Sequence, residues 1–124
     1  MLSDKPRRKL PRAARLNKAG DFAALNHSAY RLTSQGVLVR ARLNQLEQAR
    51  LGIAVAKRLL KRANERNRLK RVIRESFRLA QAELAGLDVL VIPRDAQLDN
   101  ASLREALASH WRRVRARLQP AALP

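Results

Sequence analysis

Hydrophobic residues in the first half of the chain recur with a period of two. In "AYRLTSQGVLVRARL", residues 29–43, Val37, Val39 and Ala41 alternate with Leu38, Arg40 and Arg42. This alternation predicts two strands with a break near Gln35-Gly36. "NQLEQ" is polar and turn-like, and "RLGIAVA", residues 50–56, reads as a third strand. One face of that strand carries Leu51, Ile53 and Val55, and the other carries Gly52, Ala54 and Ala56. A face of small side chains lets another group approach the backbone. Close packing against a helix would require the same composition.

Beyond residue 60 the period lengthens, and a long helix is predicted over 60–84, with Gly86 just past its end as a C-cap. Leu69, Val72, Ile73, Ser76 and Ala80 fall on one side, with Phe77 at the margin. "LDVLVIP", residues 87–93, is a short apolar strand closed by Pro93. Asp99 or Asn100 is placed to cap a final helix with a stripe of Leu103, Leu107, His110/Trp111, Val114 and Leu118. Upstream, Asn17 suits the cap of a short helix over 18–26, with Phe22 and Leu25 as its apolar contacts. Residues 1–12 read as a flexible basic arm interrupted by Pro6 and Pro11, and 119–124 as a frayed tail. The predicted order is α-β-β-β-α-β-α. It describes one α+β domain over 1–124, with helices packed on a single small sheet.

Composition narrows the chemistry. The 124 residues contain no Cys, which excludes a disulfide framework, a thiolate nucleophile and a Cys-based zinc site. That fits a reducing, cytoplasmic location. No apolar run approaches the ~18 residues of a membrane span, and the N-terminus lacks the apolar core of a secretory signal. Net charge is +17. So large a basic excess favours a polyanionic partner. The charge is concentrated: residues 57–78 hold ten Lys/Arg against two Glu, and further basic clusters occupy 1–18 and 104–117.

The predicted long helix has two different halves. Its second half is an ordinary amphipathic helix, with Asn67, Lys70, Arg71, Arg74 and Arg78 opposite the apolar side. Extending the apolar stripe backwards instead meets Glu65, Arg66 and Arg62. Burying those charges unpaired would cost several kcal/mol each, so this end is expected to project past the core or line a cleft. Arg66 and Arg68 are both expected to lie outside the core. Arginine forks grip phosphate oxygens bidentately, and Asn67 offers a donor and an acceptor to a ribose hydroxyl or a base edge. A membrane-surface helix would pair its basic face with larger apolar groups, so the partner is nucleic acid, DNA or RNA. Catalytic candidates are absent: His27 and His110 are far apart, the acids are scattered, and no Gly-rich phosphate loop precedes a helix.

The stretch "LKRANERNRLKRVIR", residues 60–74, resembles the Arg-Asn-Arg signature of the protein subunit of bacterial ribonuclease P. "RLGIAVAKR" before it, "RESFRLAQAEL" and "LDVLVIPR" after it, and a closing "HWRR" helix agree, so the similarity spans roughly residues 10–118. The resemblance implies that a partner RNA, using Mg²⁺, cleaves precursor tRNA at its mature 5′ end. The protein would supply neither an active site nor a metal site, and no protein partner would be required. Lys61, Arg62, Arg66, Asn67, Arg68, Lys70, Arg71 and Arg74 would bind the catalytic RNA or the precursor's 5′ leader. Lys57 and Arg58 would edge a leader cleft floored by Gly52, Ala54 and Ala56, and Phe22 would stack near the leader. The family's second aromatic is Asn26 here, and a Tyr of some relatives' second strand is replaced by Val39-Arg40. Leader binding should therefore lean on electrostatics more than on stacking. The resemblance also implies a left-handed βαβ crossover, where general statistics favour the right-handed form. A general RNA- or DNA-binding protein of ribosomal type, with no processing role, is the alternative reading.

Overall fold

The computed structural model describes residues 14–16 and 30–118. The arm, the helix expected over 18–26 with Phe22, and the tail lie outside the described residues. Four strands form one sheet: β1 (Tyr30–Ser34), β2 (Val37–Leu43), β3 (Arg50–Ile53) and β4 (Leu87–Pro93). Two helices accompany it, α1 (Ala63–Ala80) and α2 (Asn100–Leu118). The strand order is β1-β2-β4-β3. β1 and β2 form an antiparallel hairpin, β4 runs antiparallel to β2, and β3 lies parallel to β4. Because β3 and β4 are parallel neighbours, the chain between them must cross over the sheet, and α1 is that crossover. The α+β class and the three-strand, helix, strand, helix order over 30–118 are as expected.

The hairpin reverses at Gln35 and Gly36, with φ of 55° and 80°. Two successive positive φ values fit the twist of a two-residue hairpin turn. The observed α1 is shorter than the expected helix. At its start, Arg62 is an extended N-cap without a side-chain capping bond. At its end, overlapping three-residue turns carry the chain from Gln81 to Gly86. There φ is 86°, and β4 begins. α2 starts as expected: Asp99 Oδ1 accepts the Ser102 backbone N–H at 2.7 Å.

Both helices cover one face of the sheet. Val37, Val39 and Ala41 of β2, Leu51 of β3, and Leu87, Val89 and Val91 of β4 point into this core. They meet Leu69, Val72, Ile73 and Phe77 of α1 and Leu103, Leu107, Trp111 and Val114 of α2. Phe77, expected at the margin, is fully buried and packs edge-on to Trp111 with ring centroids 6.0 Å apart. The Trp111 indole N–H donates to Ser76 Oγ at 2.9 Å, which explains a hydroxyl on the apolar side of α1. His110 is buried and bridges α2 to the hairpin, its Nε2 lying 3.0 Å from Val37 O and 3.3 Å from Ser34 O.

The opposite face carries a charged row. Register places Arg42, Asp88 and Arg50 side by side on β2, β4 and β3. Asp88 is fully buried. It accepts from Arg50 Nε and Nη2 at 2.8 Å each, from Arg42 Nη2 at 2.9 Å and from Asn44 Nδ2 at 2.9 Å. Burial alone would raise the Asp88 pKa. The hydrogen bonds from Arg50, Asn44 and Arg42, with the charge of Arg50, outweigh it and hold the carboxyl below its ordinary range.

Candidate nucleic-acid interface

The edge of the sheet leads into the charged segment. Ala54 N–H still donates to Val91 O at 3.0 Å, after which the chain leaves the sheet. Leu59 and Leu60 N–H then turn back onto Ala56 O. Leu51, Ile53 and Val55 face the core, as the alternation predicts. On the other face Ala54 and Ala56 are exposed, but Gly52 is buried. The exposed floor of small residues is therefore shorter than expected. Gly52 sits between rows of close neighbours, paired in register with the buried Leu90.

Lys57, Arg58, Lys61 and Arg62 follow, all exposed, and lead into α1. On the helix itself Asn67, Arg71 and Arg74 are exposed and Lys70 is half-buried. Among the described residues, no ion pair engages Lys57, Arg58, Lys61, Arg62, Lys70, Arg71 or Arg74. Of the two acids in this stretch, Glu75 is held by Arg78 at 2.7 Å. Glu65 lies in the first turn of α1, where the helix dipole favours an anion. The outcome is a cationic surface without matching carboxylates, an arrangement that external phosphates would stabilise.

Two expected members do not extend outward. Arg66 and Arg68 are half-buried. Arg66 Nη1 donates to Leu60 O at 2.8 Å and to Lys61 O at 2.9 Å. Arg68 Nη1 donates to Asn100 Oδ1 at 2.7 Å, and its Nη2 to Leu98 O at 3.1 Å. Both lie outside the hydrophobic core, as expected, but they bond to their own chain and do not simply project into solvent. These bonds go to carbonyls that precede the two helices and to a side-chain amide at the start of α2. The backward extension of the apolar stripe does pass through Arg66, but the buried charge is satisfied by oxygen atoms and not by a carboxylate.

One contributor escaped the sequence reading. Residues 14–16 pair along the outer edge of β3: Arg15 bridges Leu51 in parallel, and Leu16 N–H donates to Leu51 O at 2.8 Å. Three residues are too few to show a strand period, so nothing in the local pattern marks them. This pairing brings Arg15 toward α1. The Arg74 pKa is lowered, first by partial desolvation and then by the charge of Arg15. Two guanidinium groups close enough to repel add to the anion-seeking character of this flank.

Metal ligands are scarce here. Among the described residues, no group of three or more His, Asp or Glu could hold an ion. Hard cations such as Mg²⁺ require oxygen ligands. The interface offers cations and an amide, and the buried carboxylate of Asp88 is already occupied by two arginines. No helix among the described residues is long and apolar enough to cross a membrane.

Residues 10–115 match the family model described as Ribonuclease P. The chain is similar to the ribonuclease P protein component of Serratia proteamaculans, with 45% identity over 105 residues, covering 83% of this chain and 88% of that one. Similarity to the corresponding component of Escherichia coli is 43% over 105 residues, with the same coverage of 83% and 88%. Among solved structures, the RNase P protein of Staphylococcus aureus superposes with a TM-score of 0.75 at 26% identity, covering 86% of this chain and 99% of that chain. The RNase P protein of Thermotoga maritima gives a TM-score of 0.70 at 32% identity, with coverage of 80% and 96%.

Proposed function

Since this chain belongs to the ribonuclease P protein family and is a protein component of that tRNA-processing enzyme, we propose that it acts by gripping two RNAs at once. One is the catalytic ribonuclease P RNA. The other is the single-stranded 5′ leader of precursor tRNA. The observation that carries this reading is the set of exposed cations Lys57, Arg58, Lys61, Arg62, Arg71 and Arg74, none in an ion pair among the described residues, beside the exposed Ala54 and Ala56 that follow β3.

In this reading Lys61, Arg62, Asn67, Lys70, Arg71 and Arg74 contact RNA backbone. Lys57 and Arg58 border the leader, and Ala54 and Ala56 let its backbone lie close to the sheet. The buried Gly52 shapes the strand beneath them. Phe22 stacks on a leader base, a contact typically worth ~1–3 kcal/mol and indifferent to sequence. That indifference suits a substrate class with many leaders. Neutralising leader phosphates favours precursor over product, because mature tRNA lacks the leader. Bond cleavage is assigned to the RNA partner together with its Mg²⁺, since the interface residues do not suit a Mg²⁺ site of their own. The complex works in the cytoplasm and needs no further protein.

Reconstitution tests the proposal. The chain is mixed with a bacterial ribonuclease P RNA at low Mg²⁺ and supplied with precursor tRNA. Stimulated cleavage at the mature 5′ end is expected. RNA binding without stimulation would instead support a general RNA-binding protein. Cleavage by the protein alone would place the chemistry in this chain and overturn the assignment.

A further inference from the structure

We infer that Arg66 and Arg68 are positioning residues: they act on RNA through the segments they clamp and are not phosphate ligands themselves. The inference rests on the RNA-gripping reading above and divides the candidate RNA-binding residues of 61–74 into two groups. Lys61, Arg62, Asn67, Arg71 and Arg74 are exposed. Arg66 Nη1 and both Nη atoms of Arg68 are instead bonded to oxygens of their own chain.

Each clamp has a distinct object. Arg66 holds the carbonyls of Leu60 and Lys61, on the segment that enters α1. That segment carries Lys57, Arg58 and Lys61, whose like charges favour spreading apart. It also lacks a side-chain cap at Arg62. Without the Arg66 bonds, its few restraints include the Leu59 and Leu60 N–H bonds to Ala56 O, at 3.1 and 3.4 Å. Arg66 thereby fixes three exposed cations relative to the helix that bears the others.

Arg68 reaches across to the start of α2, binding Asn100 Oδ1 and Leu98 O. A cation is disfavoured at a helix N-terminus by the macrodipole, so the contact is not a product of general electrostatics. The adjoining Asp99 cap and the oriented Asn100 amide make it favourable. The held loop continues to the hairpin tip, where Arg94 N–H donates to Gly36 O at 2.8 Å. Arg68 therefore ties the RNA-facing half of α1 to α2 and, through 94–99, to the β1–β2 turn. The two Nη atoms of Arg68 reach acceptors on different residues from separate positions of one rigid plane, a geometry that the single nitrogen of an ammonium group does not reproduce.

A salt titration separates positioning from contact. Each phosphate contact to a single strand contributes about −0.7 to the log–log salt slope of binding. In the reconstituted holoenzyme, affinity for leader-bearing precursor tRNA is measured against monovalent salt for Arg68→Ala, Asn100→Ala, their double variant, Arg68→Lys, Arg71→Ala and Arg71→Lys. All are compared at a temperature where circular dichroism shows them folded. Arg68→Ala and Asn100→Ala are each expected to weaken binding by about three- to tenfold with the slope unchanged. The double variant should be no worse than either single variant. Arg68→Lys should fail to restore affinity. Arg71→Ala should lower the slope by about 0.7, and Arg71→Lys should keep it. A slope loss of about 0.7 in Arg68→Ala, an inert Asn100→Ala, or multiplicative losses in the double variant would overturn the inference for Arg68.

The clamps are also readable without RNA, which keeps their failure distinct from failure of the RNA-gripping reading. If the wild-type chain stimulates no cleavage, that reading falls. Melting of the free protein still reports on Arg68 and Asn100, where non-additive losses of Tm are expected and additive losses refute the clamp. For Arg66→Ala, amide exchange should accelerate severalfold at Leu59 and Leu60 while the body of α1 stays protected. Unchanged exchange there would refute the Arg66 clamp.

Discussion

Asp88 and His110 show how single buried groups set the response to acid. Asp88 offsets Arg42 and Arg50 from a fully buried position. Replacing it with Ala would remove the buried carboxylate that Arg42 and Arg50 share, at an expected cost of about 3–5 kcal/mol. Urea unfolding of Asp88→Ala checks this value. The depressed Asp88 pKa also has a definite sign in linkage. An unfolded carboxyl titrates near ~4, so the stabilisation is complete above that pH and is lost as pH falls through the lower folded value. His110 acts in a higher window. Burial first, and Arg113 further on, lower its pKa, while the bonds to Ser34 and Val37 carbonyls oppose them. Those two acceptors place the proton on Nε2, and among the described residues Nδ1 has no partner. Stability should be full above about pH 6.5 and fall as acid protonates the unfolded chain. Thermal melts of wild type and His110→Gln between about pH 7.5 and 5.5 test this, with a flatter profile expected for the variant. His110 was legible as a member of the α2 stripe. Its hairpin partners were not, because they lie 73 and 76 residues away in sequence.

At the scale of elements, alternation and helical spacing located every strand and helix between residues 30 and 118, while their limits were set by competing contacts. α1 begins at Ala63, after an extended Arg62, and the preceding carbonyls of Leu60 and Lys61 accept from Arg66 Nη1. Its apolar side was read correctly, yet Phe77 moved from margin to centre because Trp111 of α2 supplies a ring for it to pack against. Phe77→Ala should therefore cost about 3–5 kcal/mol, as for a fully buried aromatic. The midpoint of denaturant unfolding reads this loss. The hairpin offers a sharper test. Gly36 has φ of +80°, and a Cβ added there would stand 2.9 Å from the Asp95 Cβ. Gly36→Ala should destabilise by more than the ~1–2 kcal/mol cost of the left-handed backbone alone, measured by the same unfolding midpoint. The Arg94 N–H bond to Gly36 O, at 2.8 Å, joins the turn to the 94–98 loop.

For the whole molecule, charge is the governing quantity. A net +17 on 124 residues makes the compact state self-repelling. Anions that bind the folded surface should therefore raise Tm by mass action, by an amount equivalent to about 2.7 kcal/mol at a hundredfold excess over Kd. Sulfate or phosphate titration by differential scanning calorimetry checks this, and an unchanged Tm would argue against preformed anion sites. Affinity for leader-bearing RNA should fall steeply with monovalent salt, with a slope that counts phosphate contacts at about −0.7 each. Most of the exposed set was legible, since unpaired cations at helical spacing have no stable place in a small core. The intrachain bonds of Arg66 and Arg68 were not legible, because an arginine that finds backbone oxygens can be half-buried without any carboxylate.

Hydrophobic period, capping residues and charge density by themselves determined the elements of 30–118, the apolar side of each helix, and the polyanionic character of the partner. These are local properties, decided by steric and solvation preferences within a few residues. Tertiary structure alone decided the insertion of β4 between β2 and β3, the Arg42–Asp88–Arg50 row, the edge pairing of 14–16, and which arginines of α1 turn inward. Each of these depends on groups far apart in the chain meeting at hydrogen-bond distance, and no local pattern carries that information.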